Sequence, residues 1–202
     1  MMFFDISFDL KLILAILASI VVVSGGYLPY IRDMFRGITK PHAYTWLIWS
    51  ITYGTATAAM WFGRGGWGFL AMFVSCFFVV LIFFLSLKYG TRNITIGDTV
   101  ILGLALLAIV VWWRMNNPLL AVLMVSAIDV AGYLPSFRKV FHEPWSETIS
   151  AWAIFSLANI LNVFALDKYN FLTVTYLLSI SAANIILLAI GLIRRRVVVK
   201  PA

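Results

Sequence analysis

Asp129 is the one ionisable acid in the middle of a long apolar stretch, nine residues before Arg138. On a helix that spacing puts it about 13 Å from the nearest basic loop. Asn184 lies ten residues before Arg194 and Asn159 eleven after Thr148, which places both roughly 15 Å deep. Three polar groups at one depth can line a wet pocket, and such groups inside apolar spans mark solute or proton routes. Ser126, Asp129 and Tyr133 share one helical face, and Trp152, Ser156, Asn159 and Asn162 make a second stripe. A third stripe, Trp49, Tyr53, Ala56 and Ala59, offers only aromatic and small side chains. The pocket is therefore expected to be asymmetric: amides and hydroxyls on one wall, rings on the other.

Each of these residues also has a plainer reading. Asn159, Asn162 and Asn184 would serve equally as hydrogen-bonding glue between helices. Trp46, Trp112 and Trp113 read as interfacial anchors near span ends. Removing a carboxylate from water penalises its charged form. Asp129 is thus either a neutral acid bonded to a neighbouring helix, or a proton-coupling site or ligand for a solute amine. Catalysis is not expected: it needs paired acids, a histidine cluster or a nucleophile with its base, and His42 and His142 fall in loops. Cys76, the single cysteine, sits in mid-span and reads as packing. No metal and no cofactor is expected.

The elements that position these groups are membrane helices. Of 202 residues, 63% are hydrophobic and 11% charged, with a mean hydropathy of +0.99, whereas a soluble domain carries about 25% charged residues. Apolar runs fall at about 10–31, 43–62, 67–88, 98–114, 117–136, 147–166 and 170–193, seven spans in all. Asn116-Asn117-Pro118 turns the chain between the fourth and fifth. Met1-Met2-Phe3-Phe4-Asp5 lacks the basic flank of a secretory signal, so the first run reads as a mature helix. The formal charge of +7 sits in short loops, a pattern of membrane orientation with no nucleic-acid partner implied. Eleven Lys and Arg residues fall on one side. Lys11, Arg64, Arg114 and Lys168 fall on the other, which predicts an outside N-terminus and a cytoplasmic C-terminus. Arg32 and Arg138 serve this bias first and a gate second.

The chain repeats itself. Gly26-Tyr27-Leu28-Pro29 recurs 106 residues later as Gly132-Tyr133-Leu134-Pro135, with Arg32 matching Arg138 and Phe35 matching Phe141. After a three-residue gap Pro41, Thr45, Trp49 and Ile51 match Pro144, Thr148, Trp152 and Ile154. The third helices match weakly, through Phe69-Leu70 and Phe171-Leu172. Such self-similarity marks a repeated unit. Three helices leave the chain on the wrong face for a like-oriented copy, so a linker helix is required. The expected fold is all-α, an integral membrane seven-helix bundle of 3+1+3 parallel repeats: 1–95 the first repeat, 96–116 the linker, 117–202 the second. Pro29 and Pro135 each remove a backbone hydrogen bond near a helix end. Behind the same Gly-Tyr-Leu they read as paired hinges, with Gly26, Tyr27 and Tyr133 beside them, or simply as helix ends. Ser24, Gly25 and Gly26 loosen the first copy further.

Tyr27-Leu28-Pro29-Tyr30 through Arg36-Gly37-Ile38-Thr39-Lys40, and Tyr133-Leu134-Pro135-Ser136 through Arg138-Lys139, resemble the SWEET and PQ-loop superfamily of three-plus-one-plus-three bundles. The likeness covers nearly the whole chain in topology but only these two segments in motif. The superfamily's Pro-Gln pair is Pro29-Tyr30 and Pro135-Ser136 here, which fits a divergent, bacterial-type SWEET-like branch. The resemblance implies transport of a small polar solute (sugar, amino acid or vitamin-like metabolite) by alternating access. Substrate binding would fall to Trp49, Tyr53, Asp129, Trp152, Ser156, Asn159 and Asn184. The partners are then the solute and the lipid bilayer, and a homo-oligomer is compatible with this plan. The main rivals are a structural subunit and a receptor, since the receptor that retrieves KDEL-tailed proteins is similar in bundle plan. Such a receptor needs a basic cavity, and no Lys or Arg is expected to be buried. A retinal protein needs a lysine in its last span, which 170–193 lacks.

Overall fold

A computed structural model describes residues 6–62, 67–91, 94–115, 118–166, 169 and 171–200. The readings on Met1 to Asp5, Arg64, Arg92, Asn116-Asn117, Lys168 and Asn170 lie outside the described residues, as do the side chains of Ala59, Phe69, Leu70, Trp112, Trp113, Phe171 and Leu172. The described chain is all-helical. Helix α1 (Ile6–Val21) passes through a π-helical segment (Val22–Tyr27) into α2 (Leu28–Phe35) as one continuous rod. Then come α3 (Ala43–Phe62), α4 (Gly68–Tyr89), α5 (Ile96–Met115), α6 (Pro118–His142), α7 (Ile149–Phe164) and α8 (Phe171–Arg195), with one 3₁₀ turn at Pro144–Ser146.

Among the described residues, three helices are long and apolar enough to cross a membrane: Leu10–Phe35, Met72–Tyr89 and Val174–Arg195. Burial is inverted relative to a water-soluble protein. Leu17, Ile20, Phe77, Phe84, Leu107, Val110, Ile185 and Ile186 face outward. Asp33, Thr39, His42, Asp129, Lys139, Glu147 and Asn184 are buried. Apolar surface on this scale, around an interior that also holds charged and amide side chains, is suited to lipid.

Packing follows a simple order. Helix α4 packs against both α3 and the first rod, and α8 packs against both α6 and α7. In each chain half the third helix therefore lies between the first two. The halves meet along two seams, the first rod against α7 and α3 against α6, while α5 rests on α6 and α3.

One end of the bundle gathers the loops that carry most of the cations. There Lys40 N–H donates to the Ser146 carbonyl at 3.1 Å and Thr91 N–H to Pro41 at 2.9 Å. Arg138 reaches Thr95 at 3.2 Å and Asp98 at 3.0 Å. Helix α2 stops in a Schellman motif: Ile38 N–H bonds Asp33 carbonyl at 2.9 Å, Gly37 N–H bonds Met34 at 3.0 Å, and Gly37 takes φ +70°.

Two expectations need correction. The prolines do not end their helices: Pro29 is followed by the rest of α2, and Pro135 lies inside α6, which runs on to His142. In the first copy the chain absorbs proline's missing donor by widening to π geometry, with Leu28 N–H bonded to the Val23 carbonyl. Gly25-Gly26 accommodates that turn, while the second copy has Ala131-Gly132 and keeps α geometry. Trp46 is no interfacial anchor either. It is 2% exposed and packs in the core beside Tyr30, with ring centroids 5.2 Å apart.

Candidate functional site

A cavity lies between the two halves, lined by Tyr27, Trp46, Trp49, Tyr53, Ser75 and Val79 from the first and by Tyr133, Trp152, Phe155, Asn159, Asn162 and Asn184 from the second. All three amides come from the second half. The first contributes rings, the hydroxyls of Tyr27, Tyr53 and Ser75, and aliphatic carbon. No Asp, Glu, Lys or Arg is among the lining residues. The space measures about 30 Å³, room for one or two waters and far below the ~300 Å³ at which small-molecule pockets begin. This conformation is contracted around its polar groups.

The repeat residues explain the shape. Trp49 and Trp152, matched in sequence, meet across the seam with centroids 5.8 Å apart. Tyr133 touches both, at 4.4 and 6.0 Å. These rings form a floor toward the basic end. Tyr133 also donates its hydroxyl to Asn184 Oδ1 at 2.6 Å, fixing that amide. Gly26 and Gly132 each lie against side chains of the opposite half. A Cβ on Gly26 would lie 2.5 Å from Phe155 Cε1, and one on Gly132 would lie 3.1 Å from Ile48 and Trp49. The glycine of the shared Gly-Tyr-Leu-Pro therefore sets helix spacing, and the tyrosine that follows it lines the cavity in both copies.

Of the seven expected binding residues, Trp49, Tyr53, Trp152, Asn159 and Asn184 are brought together. Ser156 is not among the lining: its hydroxyl donates to the Trp152 carbonyl on its own helix at 2.9 Å. Asp129 is not among it either. It is fully buried in the seam between α6 and α3, where Thr52 donates to Oδ1 and Trp49 Nε1 donates to its backbone carbonyl at 3.2 Å. Oδ2 has no hydrogen-bond partner among the described residues. A helical face read from sequence cannot distinguish the cavity from the seam beside it. Pro29 and Pro135 also lie outside the lining.

Beneath the ring floor is a polar layer that the pattern of spans concealed. Glu147, 1% exposed, accepts from Tyr30 hydroxyl at 3.2 Å, from Trp152 Nε1 at 3.2 Å and from Lys139 Nζ. Lys139 also donates to the Lys40 carbonyl at 2.6 Å. Thr148 bridges Thr39 and Asp33, the latter at 3.0 Å, and Ser136 reaches Thr45 at 3.3 Å. The expectation that no Lys or Arg is buried is thus wrong: Lys139 is 8% exposed. Helix α6 outruns its apolar run by nearly two turns and carries Lys139 inward with it. His42, read as a loop residue, is likewise buried, 3.7 Å from Asp98. The available signal was Glu147 eight residues after Lys139, a spacing that sequence alone gave no reason to read as a buried pair. Comparison with family models, curated proteins and solved structures returns no match to this chain.

Proposed function

We propose that this chain is a membrane transporter that moves a small, uncharged polar solute by alternating access. Its working parts are two like-oriented three-helix units, 1–95 and 117–202, joined by the helix at 96–116. The observation that carries the reading is the exchange-symmetric packing around one polar cavity. The first rod meets α7 as α6 meets α3, and the third helix is interior to each half. Two units so related can rock against each other about a site at their interface, as parallel-repeat transporters do. The SWEET-like motif segments, the basic bias and an outside N-terminus with a cytoplasmic C-terminus belong to the same reading.

The lining indicates the solute. A charged solute would lose its hydration without a counter-charge in the cavity. Amides facing rings suit a neutral molecule with hydroxyl or amide edges and an apolar face. Detergent-purified protein screened against sugars, neutral amino acids and vitamins is expected to show a thermal shift on the order of 5 °C for one class at saturating concentration. No shift in any class would favour the structural subunit instead.

Asp129 separates a facilitator from a proton-linked carrier. Its carboxyl sits in the α3–α6 seam with one oxygen unpartnered among the described residues, at a contact that rocking must shear. For a proton-linked carrier, Asp129→Asn abolishes the pH dependence of uptake into proteoliposomes while exchange of solute persists. Unchanged pH dependence would remove Asp129 from the mechanism.

A further inference from the structure

We infer that Glu147 is the latch that holds the basic end of the cavity shut, and that Trp152 links the latch to the occupant of the cavity. This rests on the carrier reading above and adds how its inner gate is controlled. The carboxylate, two residues before α7 begins, gathers three donors from three helices: Tyr30 on α2, Lys139 on α6 and Trp152 on α7. Tyr30 belongs to the first unit and the other two to the second. Lys139 adds a bond across the same boundary, to the Lys40 carbonyl. Opening the basic end by rocking must separate Tyr30 from Glu147 and Lys139 from Lys40. Lys139 and Glu147 themselves stay together, since both ride on the second unit.

Trp152 stands between this latch and the solute. Its ring lines the cavity and touches Trp49 at 5.8 Å, while its N–H donates to Glu147 Oε2 at 3.2 Å. The cavity must widen to admit a solute, and the rings of its floor must then separate. An indole that moves with the floor withdraws a donor from Glu147. Occupancy and unlatching are joined through one side chain. Trp49, its repeat counterpart, donates to a backbone carbonyl at Asp129, so only the second unit carries this connection.

The test needs no knowledge of the solute. A Cys76→Ser chain carrying Ala158→Cys, a small wall position of the cavity, is reconstituted in vesicles. It is exposed to a charged, membrane-impermeant thiosulfonate from each face in turn. The latch predicts slow labelling from the basic face, at least tenfold faster with Glu147→Gln and a few-fold faster with Tyr30→Phe or Trp152→Phe. Tyr30→Phe removes one hydroxyl and guards against a Glu147 variant that fails to fold. The exchange of Lys139→Glu with Glu147→Lys keeps opposite charges at the two positions but removes the acceptor of Tyr30 and Trp152 and the donor to the Lys40 carbonyl, so labelling stays fast. An exchange that restores slow labelling would reduce the pair to a structural role and overturn the inference. So would unchanged basic-face labelling in Glu147→Gln and Tyr30→Phe, with the carrier reading intact if the parent reacts from both faces. A cysteine unreactive from both faces in every variant would sink the carrier reading and the latch with it.

Discussion

Gly26→Ala is expected to destabilise the folded chain by about 2 kcal/mol, the usual scale for forcing one methyl group into a packed interior. In detergent that corresponds to a fall in Tm of roughly 4–8 °C. The added Cβ would lie 2.5 Å from Phe155 Cε1 and 2.9 Å from Cδ1. The phenyl ring cannot swing aside freely, because Tyr27 stands against it at 4.9 Å and Trp152 at 5.5 Å. Its displacement would disturb the cavity wall, so solute binding should weaken along with stability. Gly132→Ala should cost less than half as much, since its nearest neighbours are 3.1 Å away. Phe155→Val alone opens a void and destabilises, but combined with Gly26→Ala it should be milder than the sum by at least 1 kcal/mol, a coupling typical of residues in contact. Strict additivity would place the cost in the π-helical backbone and not in the ring.

That glycine shows what could be read in the sequence and what could not. Uninterrupted apolar length located the helices: Ala43–Phe62 coincides with its run, and α4, α5, α7 and α8 fall within two residues of theirs. The exceptions are the ends where polar residues are buried by tertiary contact. Helix α6 continues through Arg138 and Lys139 to His142 because their charges are met by Asp98 and Glu147, from other parts of the chain. Hydropathy sees only the charge. The repeat set Gly26 and Gly132 at matching positions, and the reading took Gly26 as loosened backbone beside a hinge. Their close approach to Phe155 and Trp49 depends on how the halves cross, which no local pattern records. Among candidate site residues the aromatic and amide stripes converge on one cavity. Asp129 shares their depth but faces the seam, a difference of part of a helical turn that sequence spacing does not resolve.

The largest effect is expected at Lys139. Lys139→Met strips the ammonium from Glu147 and leaves a carboxylate that is 1% exposed with only the Tyr30 hydroxyl and the Trp152 indole as donors. Breaking a buried pair from one side costs about 3–5 kcal/mol, because the remaining charge stays desolvated. A Tm drop on the order of 10 °C follows. Glu147→Gln should be milder. Lys139 then keeps the Lys40 carbonyl at 2.6 Å and the Ser146 carbonyl at 3.4 Å, and its long stem can carry the ammonium toward the rim. The double change Lys139→Met with Glu147→Gln should regain most of what Lys139→Met loses, since no unpaired charge remains inside. A double variant as unstable as the sum of the two singles would mean that the charges act independently, through their separate carbonyl and hydroxyl partners. The ordering matters for the gate as well as for stability. A pair this costly to split from one side is one that rocking units would carry intact. The bonds given up on opening then include those from the Tyr30 hydroxyl to Glu147 and from Lys139 to the Lys40 carbonyl, together with Thr148 to Asp33 and Ser136 to Thr45.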